Sequence, residues 1–264
     1  MRIQNTPSQS EIESGESKKG LWGPWASAGF GVVIGLAVIA AQLISGIAYT
    51  VVKIISGRPA DFYEFIYSLT TDGLLLSIAS IFSAVIGLVL IAVIIKIRGG
   101  YSVREYLGFR LLSKKVTLIM FALAGVFTLL SYLLSYIPGR SEGRFIEFLL
   151  EAYNTSVWPI LFWLNIVLFV PALEEVFFRG FIFVSFRQSG IGITGTIIVT
   201  SLVWTLLHLG QYDFYDMASL FVFGIVLGVI RQKTNSMWGP FIPHSVNNFI
   251  AMVLMTLGPN NYTG

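Results

Sequence analysis

Long apolar runs are the feature of this sequence that most limits what it can fold into. Seven runs follow one another along the chain, and most are close to the roughly 20 residues that a helix needs to cross the hydrocarbon core of a bilayer. They cover residues 26–52, 73–97, 116–137, 157–186, 192–210, 216–232 and 238–258. Because these runs are apolar on every face, they indicate helices and not alternating barrel strands. The sequence therefore predicts an all-α, polytopic transmembrane bundle.

The composition agrees with a membrane protein and excludes several other classes. Hydrophobic residues make up 55% of the 264 residues and charged residues 12%, whereas soluble domains are about 25% charged. Cysteine is absent, which excludes disulfides, thiol nucleophiles and cysteine-ligated zinc sites. Basic residues do not form a stripe with interleaved aromatics, so no nucleic-acid partner is expected. The expected surroundings are the lipid bilayer, and the sequence indicates no particular oligomeric state.

The chain divides into a polar tail and one membrane domain. Residues 1–20 are rich in serine and glutamate and lack apolar periodicity, which predicts a disordered N-terminal tail before a polytopic domain at 21–264. The fourth run contains Pro171, so it is either one kinked span or two shorter elements. We therefore expect seven spans, with eight as the alternative.

The distribution of lysine and arginine between the loops predicts the orientation. With seven spans, the side that holds the N-terminal tail carries twelve basic residues and the opposite side carries four. Since cytoplasmic loops are enriched in lysine and arginine, the N-terminus is expected in the cytoplasm and the protein in the cell membrane. If the fourth run is two spans, the later loops and the C-terminus change sides.

The basic loop at 98–115 also carries apolar side chains. They are Tyr101, Tyr106, Leu107, Phe109 and Leu111. This mixture is typical of an amphipathic segment that lies on the anionic inner leaflet. The alternative is a short basic loop that serves only topology.

A few ionisable residues lie inside the apolar runs, where lipid makes charge costly. They are Glu174, Glu175 and Arg179 in the fourth run, His208 in the fifth and His244 in the seventh. Both histidines of the protein are among them. Because charged groups at bilayer depth are expected to be paired, to line a watery cavity or to be functional, these residues are the candidate site.

Helical spacing predicts a division of roles between the two glutamates. Glu175 and Arg179 are four residues apart and share a helix face, so they are expected to form an ion pair. Glu174 is turned by about 100° from that face and remains available as a general base. The alternative is one buried charge cluster that only holds helices together.

Each histidine has a co-facial neighbour four residues away. Trp204 precedes His208, where it can stack on the imidazole or serve only as core. His244 shares a face with Asn248, and an imidazole beside a carboxamide can stabilise an oxyanion. A single membrane histidine is often only an interhelical hydrogen-bond partner, whereas two histidines with paired glutamates indicate a site.

Two chemistries fit these residues, and spacing leaves both open. Neither HExxH nor GxSxG is present. In the first chemistry, Glu174 and His208 deprotonate a water that attacks a peptide carbonyl, while His244 and Asn248 stabilise the oxyanion. In the second, Glu174, His208 and His244 hold a zinc ion with an open position for water.

Three motifs in consecutive apolar runs resemble those of a known family. EEVFFR at 174–179 matches EExxxR, WTLLH at 204–208 is similar to FxxxH, and HSVNN at 244–248 matches HxxxN. Together they resemble the CAAX prenyl protease type II family, also called the CPBP intramembrane proteases, which includes bacteriocin-processing and immunity relatives. The resemblance covers about residues 157–250 as a protease-like core.

The resemblance implies an intramembrane endopeptidase that cuts a membrane-associated protein or peptide. It implies that Glu174 activates the water with help from His208, that Glu175 and Arg179 support the first motif, and that His244 and Asn248 form the third. Trp204 stands at the aromatic position of the second motif, where we expect a packing role. Both a metalloprotease and a metal-free glutamate mechanism are assigned to this family, so zinc stays one of two alternatives.

Two other functions remain open, and one geometric condition tests the site. A non-catalytic immunity or partner-binding protein and, with less support, a proton-coupled transporter would also place charge in the membrane. Straight antiparallel helices would separate His208 and His244 by about 20 Å along the helix axes. A separation of Glu174, His208 and His244 by more than about 10 Å would exclude the enzyme, because one water could not contact them together.

Overall fold

The computed structural model of the protein describes residues 20–57, 62–134 and 144–257. In these ranges all regular structure is helical and no strand occurs, which confirms the predicted all-α membrane bundle. The predicted disordered tail lies outside the described residues, except for Gly20. Residues 135–137 of the third run and residue 258 of the seventh also lie outside them.

Ten helices can be followed through the described ranges. They are α1 (Pro24–Ile55), α2 (Phe62–Thr71), α3 (Gly73–Arg98), α4 (Val103–Leu107), α5 (Lys114–Leu134), α6 (Arg144–Thr155), α7 (Pro159–Phe186), α8 (Gly192–Leu206), α9 (Phe214–Thr234) and α10 (Trp238–Leu257).

Each predicted span coincides with one of the longer helices. Helices α1, α3, α5, α7 and α9 are long and apolar enough to cross a membrane. Helix α8 is apolar but has 15 residues, while α10 has 20 residues, contains Pro243 and carries His244. The chain is thus a multi-pass membrane protein: among the described residues, five helices have the length and composition of a span, and α8 is a shorter apolar helix.

The fourth predicted span is one continuous helix, not two elements. Helix α7 contains two π-helical segments, at Asn165–Phe169 and Val176–Ile182. Pro171 is the second residue after the first segment. Because proline has no N–H for the helical ladder, the wider turn ahead of it lets the helix continue. The second segment begins directly after Glu175 and contains Arg179.

Helix α7 lies at the centre of the bundle. It contacts α1, α3, α4, α8, α9 and α10. Helices α8 and α9 pack closely because α9 presents Gly224 and Gly228, a GxxxG pair. A Cβ atom at Gly224 would lie 3.0 Å from the Ser201 side chain, and one at Gly228 would lie 3.0 Å from Ile197. Small residues at this spacing let membrane helices approach each other.

The loop after α3 folds against the protein, which corrects the predicted membrane-surface segment. Ser102 and Glu105 form a capping box that begins α4. Tyr106 and Leu107 are 0% and 2% exposed, inside a core cluster that includes Phe181. Tyr101 and Phe109 also pack against this cluster, whereas Leu111 is 85% exposed. Most apolar side chains of the loop therefore bury protein surface instead of covering lipid.

Candidate functional site

Candidate residues from helices α7 and α10 and from the turn after α8 meet at the Glu174 carboxylate. Nε2 of His208 lies 3.9 Å from Glu174 Oε1, and Nε2 of His244 lies 3.7 Å from Glu174 Oε2. Helices α7 and α10 and the turn after α8 thus bring Glu174, His208 and His244 together, well inside the limit of about 10 Å that one shared water requires.

Glu175 is held on the buried side of this site. Its Oε1 accepts a hydrogen bond from Arg179 Nη1 at 3.2 Å, as the four-residue spacing predicts, and it lies 2.8 Å from Nδ1 of His244. The Glu175 and Arg179 side chains have no exposed surface. Arg179 also donates from Nη2 to the Gly224 carbonyl oxygen at 3.1 Å. This pair connects α7 to both α9 and α10.

Glu174 is the accessible carboxylate of the two. Its side chain is 20% exposed and that of His208 is 17% exposed, compared with 5% for His244. Trp204 donates from its indole Nε1 to Glu174 Oε2 at 2.7 Å. Charge-assisted hydrogen bonds of this kind are short and strong, so Trp204 fixes the orientation of the carboxylate.

The partners of the histidines define which nitrogen carries a proton. His208 Nδ1 lies 2.8 Å from the Trp204 carbonyl oxygen, and His244 Nδ1 lies 2.8 Å from a carboxylate oxygen. Both oxygens are acceptors, so each Nδ1 donates its hydrogen. In a neutral ring the Nε2 lone pair then faces Glu174. Three acceptors that face one another at 3.7–3.9 Å need a donor between them, which a water molecule supplies.

Both histidine rings approach the same carboxylate, so the separation of about 20 Å that straight antiparallel helices would impose does not occur. The His208 ring folds back by one turn onto the Trp204 carbonyl, and the Trp204 ring lies 5.5 Å from that of His244 between centroids. His208 lies in the turn after α8, which ends at Leu206, so the rise of a straight helix does not set its position.

Asn248 takes a different place from the one expected. Its Nδ2 donates to the carbonyl oxygen of Ile166 at 3.0 Å, within the first π-helical segment of α7. It makes no hydrogen bond with Glu174 or either histidine. Because a π turn disturbs the regular helical ladder, Asn248 stabilises the backbone of α7 instead of reaching the carboxylate.

Sequence spacing missed two contributors to the site. Trp204 is expected to stack on His208 or to serve as core, but its indole N–H also donates to Glu174. Gly224 supplies an acceptor to Arg179 and lets Trp204 approach, since a Cβ atom there would lie 3.1 Å from the Trp204 ring. The GxxxG pair of α9 is the sequence signal that predicts such a close contact. The indole bond has no comparable signal, because its partner lies on another helix.

A metal ion fits the side chains poorly as they stand. Two zinc ligands at tetrahedral positions lie about 3.3 Å apart for metal–ligand distances near 2.0 Å, and the separations of 3.9 and 3.7 Å from Glu174 are wider. Among the residues that the structure describes, no three histidine or acidic side chains form a group arranged to hold a metal. The anchored Nδ1 atoms nevertheless resemble the outer-shell hydrogen bonds of zinc-ligating histidines.

One family model matches part of the chain. The sequence model of the family described as type II CAAX prenyl endopeptidase Rce1-like matches residues 156–250. The matched segment contains Glu174, His208 and His244, and residues 1–155 lie outside it. No curated protein and no solved structure matches the chain.

Proposed function

We propose that this chain is a member of the Rce1-like type II CAAX prenyl endopeptidase family, whose sequence model matches residues 156–250, and that it hydrolyses a peptide bond with Glu174 as general base. The observation that carries this proposal is the approach of two imidazole Nε2 atoms to one accessible carboxylate. A purely structural charge cluster would bury that carboxylate completely, as Glu175 is buried.

Glu174 and His208 activate the water. A water between them donates one hydrogen to the carboxylate and the other to Nε2 of His208. As its oxygen attacks the substrate carbonyl carbon, the first proton passes to Glu174 and a tetrahedral oxyanion forms. Glu174 then gives this proton to the leaving amine as the peptide C–N bond breaks. The bond from Trp204 keeps the carboxylate in place during both transfers.

His244 and Glu175 stabilise the oxyanion. Glu175 Oε1 accepts from Nδ1 of His244 at 2.8 Å and fixes the ring. A proton that His244 takes up at Nε2 during the reaction is then directed at the developing oxyanion. Asn248 acts at a distance by holding the backbone of α7. This mechanism has no step that uses a metal. Measuring the zinc content of the purified protein and its activity after chelation tests the alternative zinc mechanism.

The substrate is a membrane-associated protein or peptide whose chain reaches the Glu174 side of α7. The multi-pass fold supports this substrate class, because a soluble peptide would not meet a carboxylate surrounded by apolar helices. We place the protein in the cell membrane with its N-terminus in the cytoplasm, on the strength of the uneven distribution of lysine and arginine.

The test compares the membrane proteomes of cells that carry wild-type protein, Glu174→Ala or Glu174→Gln. Both variants are expected to abolish cleavage, so an uncleaved precursor accumulates while the protein remains folded and at wild-type abundance. Glu147→Ala is the matched control, because it removes an exposed carboxylate on α6 and should leave the proteome unchanged. Full cleavage by Glu174→Gln would refute the mechanism.

The same samples distinguish the enzyme from a non-catalytic immunity or partner-binding protein. A binding protein would protect cells or retain its partner equally well as wild type and Glu174→Gln, and no precursor would accumulate. Precursor accumulation confined to the Glu174 variants supports the peptidase.

A further inference from the structure

Unlike the other ionisable residues of the site, His208 lies in a turn, between the end of α8 and the start of α9. The side chains on either side of it, Leu207 and Leu209, are 66% and 65% exposed. They therefore do not anchor the turn in the protein core. The orientation of the His208 imidazole depends on the few contacts that the ring itself makes.

Two aromatic rings and one backbone oxygen contact this imidazole. Its Nδ1 lies 2.8 Å from the carbonyl oxygen of Trp204, and the Trp204 ring lies 5.3 Å away between centroids. The ring of Tyr212, which is partly buried, lies 5.9 Å from the imidazole at an interplanar angle of 50°. Aromatic rings attract each other at centroid separations of about 4.5–7 Å. His208 thus has one aromatic neighbour four residues before it and another four residues after it.

The backbone of the turn fixes the place of Tyr212. The N–H of Gln211 donates to the carbonyl oxygen of His208 at 3.1 Å. Gly210 has a φ of +86°, a conformation that favours glycine. Asp213 caps α9, because its side chain accepts a hydrogen bond at 2.8 Å from a backbone N–H in the first turn. Tyr212 therefore lies between a hydrogen-bonded turn and a capped helix start.

We propose that Tyr212 is a positioning residue, whose ring holds the His208 imidazole with Nε2 towards Glu174. This role rests on the proposed function, in which Nε2 of His208 and Glu174 share the reacting water. The two groups are 3.9 Å apart.

The freedom of a histidine ring explains why such a support is needed. Rotation about the outer side-chain torsion of histidine is broad and roughly two-fold, and a half turn would replace Nε2 by a carbon atom. The bond from Nδ1 opposes that rotation, but the His208 side chain is 17% exposed, so water can compete for the bond. A phenyl ring against the imidazole restricts both the rotation and the access of water.

Histidine NMR tests the orientation of the ring without a substrate. The protein has two histidines, so the full-length protein labelled with ¹⁵N-histidine in micelles gives two sets of ring signals, and His208→Gln assigns them. The ¹⁵N shifts of the neutral rings report which nitrogen carries the hydrogen. The test variants are Tyr212→Leu and Tyr212→Phe. Phe214→Leu is the matched control, because it removes an 80% exposed aromatic side chain two residues further along the chain.

The wild type and Tyr212→Phe are expected to show His208 with its hydrogen on Nδ1. In Tyr212→Leu the His208 signals should broaden and report a mixture of both tautomers, because the ring is no longer held. His244 is 4% exposed and bonded to Glu175, so its signals should stay unchanged. Cleavage of the precursor identified by the proteome comparison should show a kcat about three- to tenfold lower in Tyr212→Leu, an unchanged KM, and wild-type kcat in Tyr212→Phe.

An unchanged His208 tautomer and line width in Tyr212→Leu overturns the proposal. It is also overturned by an equal change in Tyr212→Phe, which assigns the effect to the hydroxyl, or by an equal change in Phe214→Leu or at His244, which shows general loosening. If Tyr212→Leu does not fold, Tyr212→Met replaces it with the same outcomes. Because the ring signals require no cleavage, a failure of this contact is distinguishable from a failure of the proposed peptidase activity.

Discussion

Removing Arg179 should show how much the buried ion pair contributes to folding. Arg179→Met keeps a long, unbranched side chain but deletes the guanidinium. It breaks the bond to Glu175 Oε1 at 3.2 Å and the bond to the Gly224 carbonyl at 3.1 Å. Since neither side chain of the pair has exposed surface, water cannot replace the lost partner of Glu175.

The size of the effect follows from this complete burial. Breaking a buried ion pair by removing one partner costs about 3–5 kcal/mol, because the remaining charge is uncompensated. The guanidinium also lies 4.8 Å from the centre of the Trp204 ring, and this contact contributes up to about 2 kcal/mol when desolvated. We therefore expect Arg179→Met to lower the free energy of unfolding by at least about 3 kcal/mol.

A double variant distinguishes the destabilisation caused by the unpaired Glu175 carboxylate from the destabilisation caused by lost packing of Arg179. In Glu175→Gln/Arg179→Met no buried carboxylate remains at position 175, while the amide oxygen can still accept from Nδ1 of His244. Pairs within one network commonly show coupling energies of about 0.5–3 kcal/mol. A value near the upper end is expected here, so the double variant should be more stable than Arg179→Met alone.

The assay is equilibrium unfolding in mixed micelles, followed by far-ultraviolet circular dichroism, for the wild type, both single variants and the double variant. Arg104→Met is the control, since Arg104 is exposed and surface substitutions change stability by about 0.5 kcal/mol or less. If Arg179→Met unfolds within about 1 kcal/mol of the wild type, or if the coupling energy is zero, the argument from burial fails.

Three further outcomes test the site. Trp204→Phe keeps an aromatic ring but removes the bond to Glu174, so kcat for the identified precursor should fall at least about tenfold, and an unchanged kcat would contradict the positioning role. Gly224→Ala should destabilise the protein by about 1–3 kcal/mol through overpacking against Trp204, whereas Gly125→Ala, with open space around its Cβ position, should not; equal unfolding curves would refute the close contact of α8 and α9. Purified protein should contain no stoichiometric zinc and should cleave after chelation, and loss of activity that zinc restores would support the zinc mechanism instead.

The features that sequence predicted well are those set within one helix. The Glu175–Arg179 pair follows from spacing on a single helix face, and the apolar runs predicted the helices to within a few residues of their ends. The division between the glutamates was also predictable, because adjacent residues on a helix point about 100° apart. These relations need no knowledge of neighbouring helices.

The features that sequence did not predict depend on contacts between elements. The bond from Trp204 to Glu174 joins α8 to α7, and the bond from Asn248 to Ile166 joins α10 to α7. In the loop after α3, the mixture of apolar and basic residues fits two arrangements equally well. Side chains such as Tyr106 could contact lipid or could pack against the protein. Spacing on one helix cannot choose between such partners.

The arrangement of the two glutamates separates the stability of the site from its activity. Glu175 has no exposed surface and joins Arg179 and His244, so its charge is part of the fold. The Glu174 side chain is 20% exposed and accepts a hydrogen bond from the neutral Trp204 indole. Removing Glu174 therefore leaves no buried charged side chain without its ion-pair partner. Neighbouring carboxylates of the same chemistry should therefore respond differently: loss of Glu174 removes the reaction, whereas loss of Glu175 removes the support of Arg179 and His244 and thereby weakens the fold.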